Sequence, residues 1–176
     1  MDRKYLTTPH PKNRLNLGWL NEKPIEIAIA HSSGERFCTL IQPASNWTYW
    51  DCDAEKVHHI SREQLYEAGL PIREVAMMLN KQFAGQTLYS DGWVVDKPWI
   101  AELFYAAGIP MQFSVSPIEL IMDEAQMDCW DDIKKQVLNE KGLVRHRASN
   151  DAYIIQETFR RTAWLVKKLA RKAINR

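Results

Sequence analysis

The chain has no apolar run approaching the roughly 20 residues that a membrane-spanning helix needs, and no apolar stretch of the kind that directs secretion near its start. A cytoplasmic protein without membrane attachment is the expectation. Cysteine is scarce: Cys38, Cys52 and Cys129 are odd in number and far apart. No pair has zinc-ligand spacing and no framework of bridges is suggested, so three reduced thiols are expected. Acidic residues are missing from two stretches. None lies between Asp2 and Glu22, and none follows Glu157, where Arg160, Arg161, Lys167, Lys168, Arg171, Lys172 and Arg176 accumulate. The formal net charge of +1 therefore hides an uneven distribution and argues by itself for no particular partner.

The 176 residues, 45% hydrophobic and 26% charged, suit one folded domain with its own core. Residues 1–23 read as an irregular, polar N-terminal segment. Pro24–Ala30 alternates, with Ile25, Ile27 and Ile29 on one side, and predicts a half-buried strand. Ser33-Gly34 turns it into a second strand over Phe37–Ile41, whereas Pro43 to His59 reads as a long loop. Ser61 and Gln64 have capping-box spacing for a helix ending near Gly69. Pro71 suits the start of the next helix, whose apolar stripe is Ile72, Val75, Ala76, Leu79 and Phe83. Thr87–Ser90 predicts a strand, Asp96–Ala107 a helix stopped by Gly108, and Met111–Val115 another strand. Pro117 opens a helical region reaching about Asn139, and a last helix runs from about Asn150 into the basic tail. This order predicts an α/β fold with a mixed sheet.

Two constellations carry chemistry. His146 stands five residues before Asp151 at a helix start. A loop imidazole titrates near neutral pH, and a carboxylate on a rigid helix offers hard oxygen to a divalent cation. The same spacing also describes a surface histidine followed by an acid favoured by the helix dipole. In Ser90-Asp91-Gly92-Trp93-Val94-Val95-Asp96, one acid closes a strand and another opens a helix. Ligands of open α/β sheets gather at such strand ends. A turn Asp at 91 and a capping Asp at 96 would give the same pattern.

Together these residues resemble the DEDDh group of 3′→5′ exonucleases. His146-Arg-Ala-x-x-Asp151-Ala resembles its third motif, and Ser90-Asp91-Gly92-x-x-x-Asp96 resembles the second in one bacterial branch. Pro24-Ile25-Glu26-Ile27 resembles that branch's second strand, and His58-x-Ile60-Ser61 its His-Gly-Ile-Ser/Thr turn, with His59 in the glycine position. The resemblance spans about residues 24–160, leaving residues 161–176 as a basic helical extension. It implies an RNase H-like fold, a mixed twisted sheet flanked by helices. It also implies a Mg²⁺- or Mn²⁺-dependent two-metal phosphodiesterase acting on a single-stranded DNA or RNA 3′ end. Asp96 and Asp151 would be metal ligands and His146 the general base. Asp91, Trp93 and Arg147 are candidates for substrate contact. Trp47, Tyr49, Trp50 and Trp93 would offer bases a stacking surface, or fill a core. The basic tail would meet phosphates, or form a solvated helix face.

The family's first motif, Asp-x-Glu on the strand preceding Pro24, has no counterpart: the corresponding window reads Pro11-Lys12-Asn13-Arg14-Leu15. Two cations facing half the usual carboxylates repel each other with less compensation, so the resemblance implies impaired chemistry, or a catalytically degenerate nucleic-acid-binding or protein-interaction module on the same fold. Some segment must fill the central slot that this strand occupies. Leu15–Leu20 is the expected occupant, because it closes a short hairpin to Pro24. Met1–Leu6, which would bring Asp2 near the site, is the alternative.

Overall fold

The computed structural model describes residues 4–7, 23–141 and 147–174, the first of these by backbone alone. Its elements run β1 (Lys4–Thr7), β2 (Glu26–His31), β3 (Arg36–Gln42), α1 (Cys52–His58), α2 (Arg62–Ala68), β4 (Leu70–Pro71), α3 (Ile72–Phe83), β5 (Thr87–Ser90), α4 (Trp93–Ala107), β6 (Ser114–Pro117), α5 (Glu124–Lys141) and α6 (Ala148–Ile174). One sheet has the order β4-β3-β2-β1-β5-β6. β2 is antiparallel to β1 and β3, while β1, β5 and β6 run parallel. The expected mixed sheet is present, and its parallel strands finish together at one end.

The slot between β2 and β5 is filled by Lys4–Thr7, paired on one side as Thr7 with Ala28 and on the other as Tyr5 with Tyr89. This corrects the expectation that Leu15–Leu20 would fill it; residues 15–20 lie outside the described residues, as does Asp2. The hairpin argument rested on loop entropy, which grows only logarithmically with length. Eighteen connecting residues instead of five cost about 1 kcal/mol more. That difference is about the net worth of one hydrogen bond, about 1 kcal/mol, so loop entropy alone does not choose the occupant.

The alternation along β2 sorts the two faces of the sheet. Ile27 and Ile29 point into the main core with Val75, Leu79 and Phe83 of α3 and Ile100, Leu103 and Phe104 of α4. Ala28 and Ala30 point the other way, against Ala148 and Ala152 at the start of α6. Four methyl-sized side chains let that helix lie close to the sheet. Farther along, Ile155 and Phe159 of α6 pack with Trp130 of α5, Ile118 and Tyr89.

Local signals account for several element ends. Ser61 and Gln64 form the reciprocal capping box of α2. Gly108 ends α4 in the left-handed conformation at φ 65°. α4 starts at Trp93, three residues before the expected Asp96, so Pro98 falls inside it. The stretch expected as loop to His59 contains α1, whose N-cap Asp51 accepts from the amides of Asp53 and Ala54. Its C-cap is His59 at φ 56°, the one non-glycine residue with positive φ among the described residues. The resemblance puts glycine at this position, and the backbone shows why. β6 begins at Ser114 rather than Met111, and a 3₁₀ turn over Ile118–Ile121 separates it from α5. No described helix is long and apolar enough to cross a membrane.

Candidate functional site

The second constellation forms the link from β5 to α4. Ser90 is fully buried at the end of β5, and its hydroxyl donates to Asp96 Oδ2 while accepting the Gly92 amide at 2.8 Å. Asp96 is 2% exposed, in the first turn of α4. A Cβ on Gly92 would stand 3.4 Å from Asp96 Oδ2, so the turn lies in van der Waals contact with the carboxylate. A buried carboxylate is expensive without polar partners, and the strand-end serine supplies one. The neighbouring Asp91 faces elsewhere, in an ion pair with Lys134 of α5.

The constellation at the start of α6 is anchored by a residue of β2. Glu26, 1% exposed, accepts from Arg147 Nη2 at 2.9 Å, Arg147 Nε at 3.4 Å and the Ala148 amide at 2.7 Å. The first amide of α6 is thus capped by a buried anion from the sheet, where the helix dipole favours negative charge. Hydrogen bonding to Glu26 raises the Arg147 pKa above its ordinary value. Cys38 of β3 approaches the same carboxylate at 3.6 Å. Partial desolvation, with Glu26 beside it, pushes that thiol up to about 11, although the residue is exposed at the surface. Asp151 sits in the first turn of α6, one turn past this anchor. The segment before it, with His146, lies outside the described residues.

A further arrangement lies at the end of α1. His58 is buried at the end of α1, accepts the Ile60 amide through Nδ1 at 3.1 Å and meets the edge of Trp50, ring centroids 6.3 Å apart. Desolvation lowers its pKa from 6.5, with Glu55 and Glu26 pulling the other way. The imidazole is neutral, consistent with its acceptor role.

The remaining candidates are placed as follows. Trp93 packs against the main core and its indole N–H donates to the Val115 carbonyl at 2.9 Å. Trp47 is buried in the same core. Trp50 donates to Glu55 at 2.6 Å, and Tyr49 is exposed. Sequence reasoning did not identify the anchoring role of Glu26, although a lone acid in an apolar strand, Pro-Ile-Glu-Ile-Ala-Ile-Ala, marks a buried charge that needs a partner.

Metal capacity is limited. The central strand, Lys-Tyr-Leu-Thr, contributes no carboxylate, and among the described residues no three His, Cys, Asp or Glu side chains are grouped as a metal site would require. A two-cation centre does not fit the set of described residues. Asp96 and Asp151 are carboxylates in the first turns of α4 and α6.

No protein-family model matches the chain, and no curated protein sequence matches it. Solved structures do. Escherichia coli exonuclease I in complex with a dA16 oligonucleotide is similar over 88% of this chain and 39% of that one, with a TM-score of 0.64 at 13% identity. The nuclease domain of 3′hExo, a DEDDh family member bound to rAMP, is similar over 93% of this chain and 92% of that one, with a TM-score of 0.62 at 13% identity. An exonuclease I from Methylocaldum szegediense is similar over 73% of this chain and 29% of that one, with a TM-score of 0.55 at 14% identity. The chain thus spans about two fifths of the length of E. coli exonuclease I. At these identities the likeness is one of fold: an α/β chain with the RNase H-like architecture of DEDDh exonucleases.

Proposed function

We propose that this chain binds the 3′ end of single-stranded DNA or RNA as a 3′→5′ exonuclease-type domain, and that its phosphodiester hydrolysis is impaired. One observation carries the reading. Asp96 is held at the end of β5 and Asp151 in the first turn of α6, while β1, the strand that runs in parallel beside β5, has no acid. Asp96 and Asp151 would hold a single Mg²⁺ or Mn²⁺, which when bound would neutralise charge on the scissile phosphate. His146 would take a proton from the attacking water. Support for a nucleic-acid ligand comes from the fold, since neighbours of this architecture are described in complex with oligonucleotides. Whether the chain turns over or only binds is a matter of rate. The absent β1 acid, together with Asp91 and Arg147 held in ion pairs, favours slow or no turnover.

The test uses a 5′-labelled single strand with a free 3′ hydroxyl. Binding is followed by anisotropy in EDTA and cleavage by product length in Mn²⁺. Binding in EDTA with slow, Mn²⁺-dependent release of 5′-mononucleotides that His146→Ala abolishes is the expected result. Binding without cleavage reduces the reading to its non-catalytic form. Absence of binding to DNA and RNA alike overturns it.

A further inference from the structure

Beyond the 3′ terminus, we infer that the distal half of α6 is a track for single-stranded nucleic acid, with Trp164 as a base-stacking platform. This rests on the end-binding reading above and extends it to the chain 5′ of the end. Arg160, Trp164, Lys167, Lys168 and Arg171 are spaced i, i+4, i+7, i+8 and i+11 on one continuous helix, Ala148–Ile174. At 100° per residue they fall within an arc of about 100°, a single stripe. Trp164 is 58% exposed, unusual for the largest apolar side chain, and Lys168 Nζ lies 4.6 Å over its ring. Beside the stripe is a cavity of about 560 Å³, whose opposite wall is Ser32, Ser33 and Gly34 of the β2–β3 turn.

The chemistry points to a polyanion with flat rings. No acid follows Glu157 in the sequence, and Glu157 itself is taken up by Arg160 and Arg161 at 2.7 and 2.8 Å. Lys167 and Arg171 enter no ion pair among the described residues. Cations alone would suit any anionic surface, but an exposed indole among cations is the pairing that single-strand grooves use. The placement agrees. Asp151 and Trp164 are thirteen residues apart on one helix, about 20 Å, so a strand with its 3′ end near Asp151 reaches Trp164 after a few nucleotides.

The test compares oligothymidylates of two and twelve nucleotides, both with free 3′ hydroxyls, by anisotropy in EDTA. Wild type should bind the twelve-mer at least tenfold tighter than the dinucleotide. Trp164→Ala and Lys167→Gln/Arg171→Gln should each weaken the twelve-mer about tenfold and leave the dinucleotide unchanged, with Trp164→Phe restoring much of the loss. The double variant should also flatten the dependence of log K on log salt by about 1.4, the value for two lost phosphate contacts on a single strand. All these side chains are exposed, so thermal unfolding should be unchanged. Equal affinity for the two lengths, unaltered by the variants, overturns the track while leaving end binding intact. If neither length binds wild type, end binding fails as well. Binding of anionic lipid vesicles that the same variants abolish, without a length effect on oligonucleotides, would assign the stripe to a membrane surface and overturn the proposal.

Discussion

Glu26 and Arg147, 121 residues apart in sequence, are joined by two hydrogen bonds between the second strand and the segment entering the last helix. The same carboxylate caps the Ala148 amide, so one buried anion fixes where α6 begins and hence where Asp151 stands. Glu26→Gln keeps the shape but removes the charge, and leaves Arg147 without its counter-ion. We expect a loss of about 2 kcal/mol. Urea denaturation should show a lower midpoint at unchanged m-value.

His59 predicts the opposite sign. A non-glycine residue in the left-handed region costs about 1 kcal/mol relative to glycine. His59→Gly should therefore stabilise the protein by about that amount and raise Tm by roughly 2–4 °C. His59→Val should lower it, because β-branching is poorly tolerated at φ 56°.

The metal prediction follows from β1. The intact chain should bind Mn²⁺ weakly and at one site. Thr7 is the last residue of β1, the strand that runs parallel beside β5. Thr7→Asp should tighten Mn²⁺ binding on the order of tenfold, since affinity for hard cations follows the count of charged ligands. Calorimetry checks both. Two tight sites in the unaltered chain would contradict the impairment.

Two groups set separate pH windows. His58 has a folded pKa below 6.5, so the unfolded chain takes up its proton first as pH falls. Its contribution is fully present above about pH 6.5 and is lost as pH drops from there toward the folded value. Glu157 is held down to about 2, chiefly by Arg160, then Arg161. Its contribution is present above 4.5 and is lost as pH falls toward 2. Urea midpoints between pH 7.5 and 5 should decline in the unaltered protein and decline less in His58→Gln.

How legible the chain was depended on whether the signal was local. The capping box at Ser61, the stop at Gly108 and the stripe of α3 are written in neighbouring residues, and each appears as read; the Ile alternation gives the strand β2, but one buried on both faces rather than half-buried, because α6 covers the second face. β1 is not local. Lys4–Thr7 has no alternation to distinguish it, and its place is set by partners more than twenty residues away in β2 and more than eighty away in β5. α1 was overlooked because Trp47, Tyr49 and Trp50 dominate a segment whose decisive residue is Asp51, a modest cap. At the site, Asp91 and Asp96 look alike in sequence. Burial separates them: Asp96 is enclosed with Ser90, whereas Asp91 turns to Lys134.

Both outermost strands of the sheet finish in proline. β4 is only Leu70–Pro71, and β6 closes on Pro117. A proline has no amide hydrogen to offer, so each border of the sheet is interrupted where another chain's strand would continue it. At high concentration the folded molecule should therefore resist edge-to-edge stacking into larger β assemblies.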